Sequence, residues 1–142
     1  MKVEQILQSK GTEVYSVHTN DQVAKAVSTM NDKNIGAVLV KNDSEEVVGI
    51  LSERDVVRQI SGGGATAMST QVAHCMSKMP VSCTRESTVA ELMTEMTTRR
   101  IRHMPVIENG ALLGMVSIGD VVKRKIEETE QEAAALKEYI TS

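Results

Sequence analysis

The order of apolar and polar positions along the chain occurs twice. Residues 14–41 align with residues 80–107 without a gap, and most of their apolar positions coincide. VVGILSERDVV at 47–57 then matches LLGMVSIGDVV at 112–122. A fixed internal period of this kind indicates that one structural unit is present in two copies.

Each copy shows the same succession of hydrophobic periods. Apolar residues at helical spacing begin at Val23 and at Val89, and two short apolar runs separated by turn residues follow each of them. The pattern predicts a strand, a helix, two strands joined by a hairpin, and a second helix in each repeat. Gly49 and Gly114 interrupt the last strand, where glycine often marks the close approach of another part of the chain.

The repeats predict how the chain is divided. We expect a first repeat with its lead-in and linker in residues 1–65, a second repeat in residues 66–126, and a helical extension in residues 127–142. A unit of about 60 residues buries little surface and is only marginally stable alone. The two repeats are therefore expected to share a core around a pseudo-two-fold axis.

Shorter segments flank the repeats. An apolar lead-in precedes each one, at 3–7 and at 71–76. The linker SGGGATAMST at 61–70 is flexible by composition. The tail contains good helix formers and a thin apolar stripe, formed by Ile126, Ala133, Leu136 and Ile140.

Composition and charge limit the classes of function. The chain carries a net charge of −3 and has neither Trp nor Phe, so it lacks the basic footprint and the stacking platforms of a nucleic-acid binder. No apolar run reaches the roughly 18–20 residues of a transmembrane helix, and residues 1–11 lack the apolar stretch of a signal peptide. We therefore expect a cytoplasmic protein that binds neither nucleic acid nor membrane. A nucleic-acid regulator stays an alternative because TRRIRH at 98–103 is a short basic run.

The residue types and their spacing give little indication of a catalytic site or a metal site. The His and Cys residues lack zinc-ligand spacing, and no nucleophile has a base in its motif. The sequence therefore predicts no metal site and no enzyme. Cys75 and Cys83 are expected to be half-buried or buried thiols, with a single disulfide between them left open.

A Ser and an Asp recur three residues apart, as Ser52 with Asp55 and as Ser117 with Asp120. One interpretation is structural, because Ser-x-x-Asp at a helix start forms a capping box. The other is a nucleotide site: an ionised Asp has only acceptors and can receive both hydroxyls of a ribose, while a helix N-terminus attracts phosphate. Recurrence in register behind an in-strand glycine favours a functional role over capping alone.

The motif Gly, two apolar residues, Ser, two variable residues, Asp occurs at 49–55 and 114–120 and resembles that of CBS (cystathionine-β-synthase) domains. IGAVLV at 35–40 and IRHMPVI at 101–107 are also in keeping, and the resemblance covers about residues 3–126. It implies the tandem arrangement called a Bateman module. The implied fold is α+β, with two pseudo-two-fold-related β-α-β-β-α units packed through their sheets and a C-terminal helical extension.

The resemblance also implies a function. Such modules bind adenosine nucleotides in their clefts and act through a change of conformation or oligomer. AMP is the first expected ligand, followed by ATP, ADP or NAD, and no catalytic cofactor is expected. A homodimer and an unidentified effector protein are the implied partners. The alternative is a constitutive homodimeric scaffold with empty clefts.

Two sites follow from the resemblance. In one, Asp120 would hold a ribose, with Ser117 near it and the adenine against the first repeat. In the other, Asp55 would do so, with the adenine against the second repeat. The residues expected at the first site are Val14, Tyr15, Ile35, Gly36, Ala37, Ser117 and Asp120. Those expected at the second site are Ser52, Arg54, Asp55, Pro80, Val81, Arg102, His103 and Met104.

The two sites are expected to differ in their preference for phosphate. Arg54 offers a fork of donors suited to phosphate oxygens, whereas Gly119 stands at the equivalent position. The Asp55 site should therefore favour the more phosphorylated ligand. Arg102 and His103 could also contact a phosphate, or they could form a solvated surface pair.

Overall fold

The structure is a computed structural model that describes residues 1–78 and 81–141. The chain divides into two compact units, which we call the first-repeat unit (residues 14–80) and the second-repeat unit (residues 1–13 with 81–142). The elements in chain order are α1 (Val3–Lys10), β1 (Ser16–His18), α2 (Val23–Lys33), β2 (Ala37–Lys41), β3 (Val47–Ser52), α3 (Glu53–Gly63), β4 (Ser77–Lys78), α4 (Val89–Arg99), β5 (His103–Glu108), β6 (Ala111–Ser117) and α5 (Ile118–Thr141).

The first-repeat unit is built on a sheet of four strands in the order β1-β2-β3-β4. β1 runs parallel to β2, and the other pairs are antiparallel. Because β2 is apolar and buried along most of its length, it forms the centre of the core. The inward face of α2, with Val23, Ala26 and Met30, covers this sheet at helical spacing. The predicted order of strand, helix, hairpin and helix is confirmed here.

The second-repeat unit repeats this plan with a smaller sheet. β5 and β6 form an antiparallel hairpin, and α4 packs its buried residues on the same core. Among the described residues, the strand predicted before α4 is reduced to one parallel bridge between Cys83 and Val106.

The lead-in helix α1 packs against the second repeat, although it precedes the first in the chain. Val3, Ile6 and Leu7 are buried in the second-repeat core. The Val3 N–H donates to the carbonyl of Ser87 at 2.9 Å. The structure thus groups residues 1–13 with the second repeat, whereas the sequence division placed them with the first. The physical reason is that the apolar face of α1 completes a core that the second repeat leaves open.

The second lead-in is arranged in the same way on the first repeat. Val72 begins a short 3-10 helix, Val72–His74, and its N–H donates to the carbonyl of Asp21 at 2.8 Å. The Val23 N–H donates to Thr70 at 2.9 Å. Residues 71–78 therefore belong to the first-repeat unit, beyond the boundary expected at residue 65.

The prediction of a flexible linker at 61–70 is wrong. α3 continues to Gly63, and Gly64–Ser69 form a 3-10 helix. Ala67 is 1% exposed, and Met68 packs against the first-repeat core. Burial of these two apolar side chains orders a segment whose glycines alone suggested flexibility.

The in-strand glycines lie where the lead-ins meet the sheets. A β-carbon on Gly114 would lie 2.7 Å from Leu7 Cδ2. On Gly49 it would lie 2.5 Å from Met76 Sδ and 2.8 Å from the backbone oxygen of Ser77. The close approach predicted at both glycines is confirmed, and the approaching segments are the two lead-ins.

The tail is helical, as predicted. α5 runs without interruption for 24 residues from the second repeat into the tail, and residues 129–141 are exposed. Within residues 1–78 and 81–141, no helix is both long enough and apolar enough to cross a membrane.

Candidate functional site

Both Ser-x-x-Asp motifs form helix caps. The Ser52 N–H donates to Asp55 Oδ2 at 2.9 Å, and the Asp55 N–H donates to Ser52 Oγ at 3.4 Å. The Ser117 N–H donates to Asp120 Oδ2 at 2.9 Å, and the Asp120 N–H donates to Ser117 Oγ at 3.2 Å. The structural role considered for the motif is therefore present in both copies. Each cap joins the end of a strand to the first turn of a helix, so its carboxylate sits at a helix N-terminus.

Asp55 is enclosed by its own unit. It is 6% exposed, and its Oδ2 accepts from the Ser52 hydroxyl at 3.0 Å as well as from the Ser52 N–H. Its Oδ1 accepts from the Ser77 hydroxyl at 3.3 Å and lies 3.6 Å from Arg58 Nη1. Both carboxylate oxygens are thus engaged, and the second lead-in supplies one of the donors.

Asp120 has a different environment. Its side chain is 23% exposed, and Lys10 Nζ lies 2.7 Å from its Oδ2. Lys10 Nζ also donates to the carbonyl of Met115 at 3.0 Å. Burial alone would raise the pKa of the Asp120 carboxyl, but the hydrogen bonds from Lys10 and Ser117 together hold this pKa below its ordinary value. Asp120 is therefore an ionised acceptor with a cation beside it.

Lys10 is a candidate functional residue that sequence reasoning missed. It lies 110 positions before Asp120, and it reaches the motif only because α1 packs on the second-repeat unit. The apolar lead-in at 3–7 was the available signal, but the sequence did not indicate on which repeat it would pack.

Each Asp motif lies beside the hairpin segment of its own repeat. Gly36 accepts the Glu53 N–H at 3.1 Å, and Ala37 pairs with Ser52 across the sheet. In the other unit, Arg102 accepts the Ile118 N–H at 2.8 Å. The structure therefore brings predicted residues together within each repeat, and their grouping across repeats stays a prediction.

The remaining predicted residues of the first-repeat unit differ in exposure. Val14 and Tyr15 are half-buried, and Lys33 Nζ lies 5.2 Å from the centre of the Tyr15 ring. Ala37 is 1% exposed, so a ligand could reach little more than its backbone. Arg54 is exposed on the first turn of α3.

In the second-repeat unit, Met104 is 1% exposed within the hydrophobic core, so a ligand could reach little more than its backbone. Val81 and His103 are half-buried, and Arg102 is exposed. Pro80 lies outside the described residues.

An open groove of about 520 Å³ lies between α2 and α3. Its lining includes Ile35 and Gly36 together with Met30 and Val56, but neither Ser52 nor Asp55 lines it. No three His, Cys, Asp or Glu side chains of the described residues are placed to share a metal ion. Cys75 and Cys83 are free thiols, half-buried and buried respectively.

The chain is similar to known proteins over most of its length. The CBS-domain family model matches residues 3–62 and 72–127. A CBS-domain protein of Agrobacterium tumefaciens is 41% identical, with a TM-score of 0.85, over 87% of this chain and 92% of that one. The mitochondrial CBS-domain-containing protein CBSX3 of Arabidopsis thaliana is 40% identical over 86% of this chain, and the match spans 61% of that relative.

A solved structure also links the fold to a ligand in another protein. A CBS-domain protein of Pyrobaculum aerophilum, crystallised with AMP, is 19% identical with a TM-score of 0.75 over 84% of this chain and 89% of that one. That likeness concerns the fold. The chain has two family matches, two copies of the motif and a mixed α+β structure whose two repeats share one order of elements. It therefore belongs to the CBS-domain family, as a tandem pair.

Proposed function

We propose that this protein is a regulatory module that binds an adenosine nucleotide at its Ser-x-x-Asp junctions. The observation that carries the proposal is the Asp120 carboxylate, which is partly exposed, stays ionised and sits at the N-terminus of a long helix. A ribose has two hydroxyl donors for such a carboxylate. Helix N–H groups beside it suit the phosphate of the same ligand. AMP is the first expected ligand, and ATP, ADP or NAD follow.

The surroundings of Asp120 support a ligand that carries both hydroxyls and phosphate. The ammonium of Lys10 lies 2.7 Å from the carboxylate, so an incoming ribose would compete with it for Oδ2. Once displaced from Oδ2, Lys10 would still be within reach of the ligand, where a cation favours phosphate. Lys10 thus gives the second repeat a positively charged side chain beside its motif, as Arg54 does for the first repeat.

The bound nucleotide would act through shape. Lys10 belongs to α1 and Asp120 to α5, so a ligand that separates these two side chains changes how the two helices are held. A change of conformation or oligomer would pass to a second copy or to an effector protein. This scheme needs no catalysis.

Calorimetry on the full chain tests the proposal. We expect AMP to bind in the micromolar range and Asp120→Asn to weaken it about tenfold or more, because a hydrogen bond to a charged group contributes about 1.5–3 kcal/mol. Asn keeps an acceptor for the Ser117 N–H, so the cap survives. Asp55→Asn makes the same change at the other junction and should weaken binding less, because Asp55 is 6% exposed.

The ligand panel should contain AMP, ADP, ATP, NAD, S-adenosylmethionine and adenosine, with GMP as the control for the base. If Arg54 contacts phosphate, Arg54→Ala should weaken the binding of nucleotides about tenfold and leave the affinity for adenosine unchanged. If no adenosine compound releases heat or raises the melting temperature at millimolar concentration, the protein is a scaffold with empty clefts.

A further inference from the structure

From residue 126 onward, α5 carries an apolar stripe that the rest of the described chain leaves exposed. Ile126 is 52% exposed, Leu136 60% and Ile140 73%, and Thr129 and Ala133 are also exposed. These five positions follow one another at intervals of three and four residues. Such alternation is the a and d pattern of a coiled coil. The stripe continues past residue 127, where the CBS family match ends.

The residue types on the stripe favour two strands. With Ile126 as an a position, Ala133 and Ile140 are also a positions, and Thr129 and Leu136 are d positions. Ile126 and Ile140 at a positions and Leu136 at a d position match the combination that favours a parallel dimer over higher oligomers, whereas Ala133 and Thr129 are small residues outside that combination. Exposed Ile and Leu side chains at these positions would lose their contact with water in such a pair.

The charges beside the stripe identify the partner. Lys125 and Glu132 occupy g positions, and Glu130 and Lys137 occupy e positions. In a parallel pair in register, a g residue faces the e residue that follows five positions later on the partner. Lys125 then faces Glu130 of a second copy, and Glu132 faces its Lys137. Both contacts are attractive, and each occurs twice by symmetry.

Other alignments of two copies fit less well. One antiparallel alignment places Glu130 opposite Glu130 and Glu132 opposite Glu132, which is repulsive. The antiparallel alignment shifted by one heptad keeps a Glu130–Lys137 contact but leaves Ile126 outside the paired segment. Within the described chain Lys125 has an alternative partner, Glu128 at 3.9 Å. Glu130, Glu132 and Lys137 form no ion pair with any described residue, so their charges are open to a partner.

We propose that residues 126–140 pair with the same segment of a second copy of this chain as a parallel, two-stranded coiled coil in register. The proposal does not depend on nucleotide binding. It places the C-terminal ends of two copies side by side, and it makes α5 the element that links the Asp120 junction to the partner.

Cysteine cross-linking tests the orientation. Under mild oxidation, Ile140→Cys should form a covalent dimer, because two a positions of a parallel pair face each other. In the antiparallel alignments the two sites lie at least about 16 Å apart along the axis, at 1.5 Å per residue. Glu138→Cys, at an f position pointing away from a partner, is the matched control. The native protein controls for Cys75 and Cys83. Absence of the Ile140→Cys dimer, or equal yields at both sites, overturns the parallel pair.

A charge exchange tests the register. Glu132→Lys places two lysines opposite each other and should weaken the dimer about fivefold to tenfold by sedimentation equilibrium. Glu132→Lys with Lys137→Glu restores opposite charges and should recover the native dissociation constant. Leu136→Asn should weaken the dimer at least about tenfold. All these sites are exposed, so circular dichroism should show an unchanged fold. A monomer at tens of micromolar, or a dissociation constant that none of the variants changes, overturns the proposal.

Discussion

Asp55 and Asp120 occupy the same place in two copies of one motif, yet Asp55 is buried and Asp120 is partly exposed. Asp55 is 6% exposed and receives hydrogen bonds on both oxygens. Asp120 is 23% exposed and is paired with Lys10. The difference comes from the lead-ins, because one contributes the hydroxyl of Ser77 and the other the ammonium of Lys10. A repeated motif therefore preserves the cap, while a segment outside the repeat decides what else the carboxylate does.

The in-strand glycines show the same contrast. At Gly114 the nearest obstacle is the methyl end of Leu7, whereas at Gly49 it includes the backbone oxygen of Ser77. A flexible side chain can turn away, but a backbone atom held in a strand pair cannot. The first-repeat unit is the more tightly constrained of the two at this position.

The largest expected loss of stability comes from replacing these glycines. Gly49→Ala should lower the free energy of unfolding by about 2–3 kcal/mol and Gly114→Ala by about 1 kcal/mol, within the range of overpacking. Urea denaturation measures both. Gly62→Ala in α3 is the control, because a β-carbon there has nothing within 4 Å. Equal losses at Gly49 and Gly114 would contradict the difference between the units.

Truncation of the two carboxylates should have a smaller and again unequal effect. Asp55→Ala should cost about 2 kcal/mol, since it removes a cap and takes a buried carboxylate away from the donors of half-buried Ser52 and of Ser77. Asp120→Ala should cost about 1 kcal/mol, because Lys10 can turn to solvent. Thermal unfolding at pH 7 compares the two variants. A larger loss for Asp120→Ala would assign the main structural role to the second repeat instead.

The smallest effect concerns the ion pair itself. Lys10→Met should cost less than about 1 kcal/mol at pH 7, because the Lys10 side chain is more than one-third exposed. Since the pKa of Asp120 is lowered in the folded state, the pair stabilises fully above the ordinary Asp pKa of about 4. This stabilisation disappears as the pH falls through the lowered value.

Unfolding curves from pH 7 to pH 2 should therefore converge for the native protein and Lys10→Met. Lys2→Met is the control, because Lys2 forms an exposed pair with Glu86 and not with the Asp of the motif. If the free energies of unfolding of the native protein and Lys10→Met differ by the same amount at every pH, Lys10 acts through packing and not through the charge of Asp120.

Much of this protein follows from the sequence by itself. The apolar periods starting at Val23 and Val89 predicted the helices, and the repeated Ser-x-x-Asp predicted both caps, because these are local patterns that neighbouring residues satisfy. Gly49 and Gly114 predicted that another part of the chain lies close to each strand. Only the tertiary structure decided which segments approach. α1 packs on the second repeat, Gly64–Ser69 are ordered by Ala67, and Lys10 meets Asp120 across 110 positions. These outcomes depend on which apolar face completes which core, and that choice is made by packing in three dimensions, which no local period encodes.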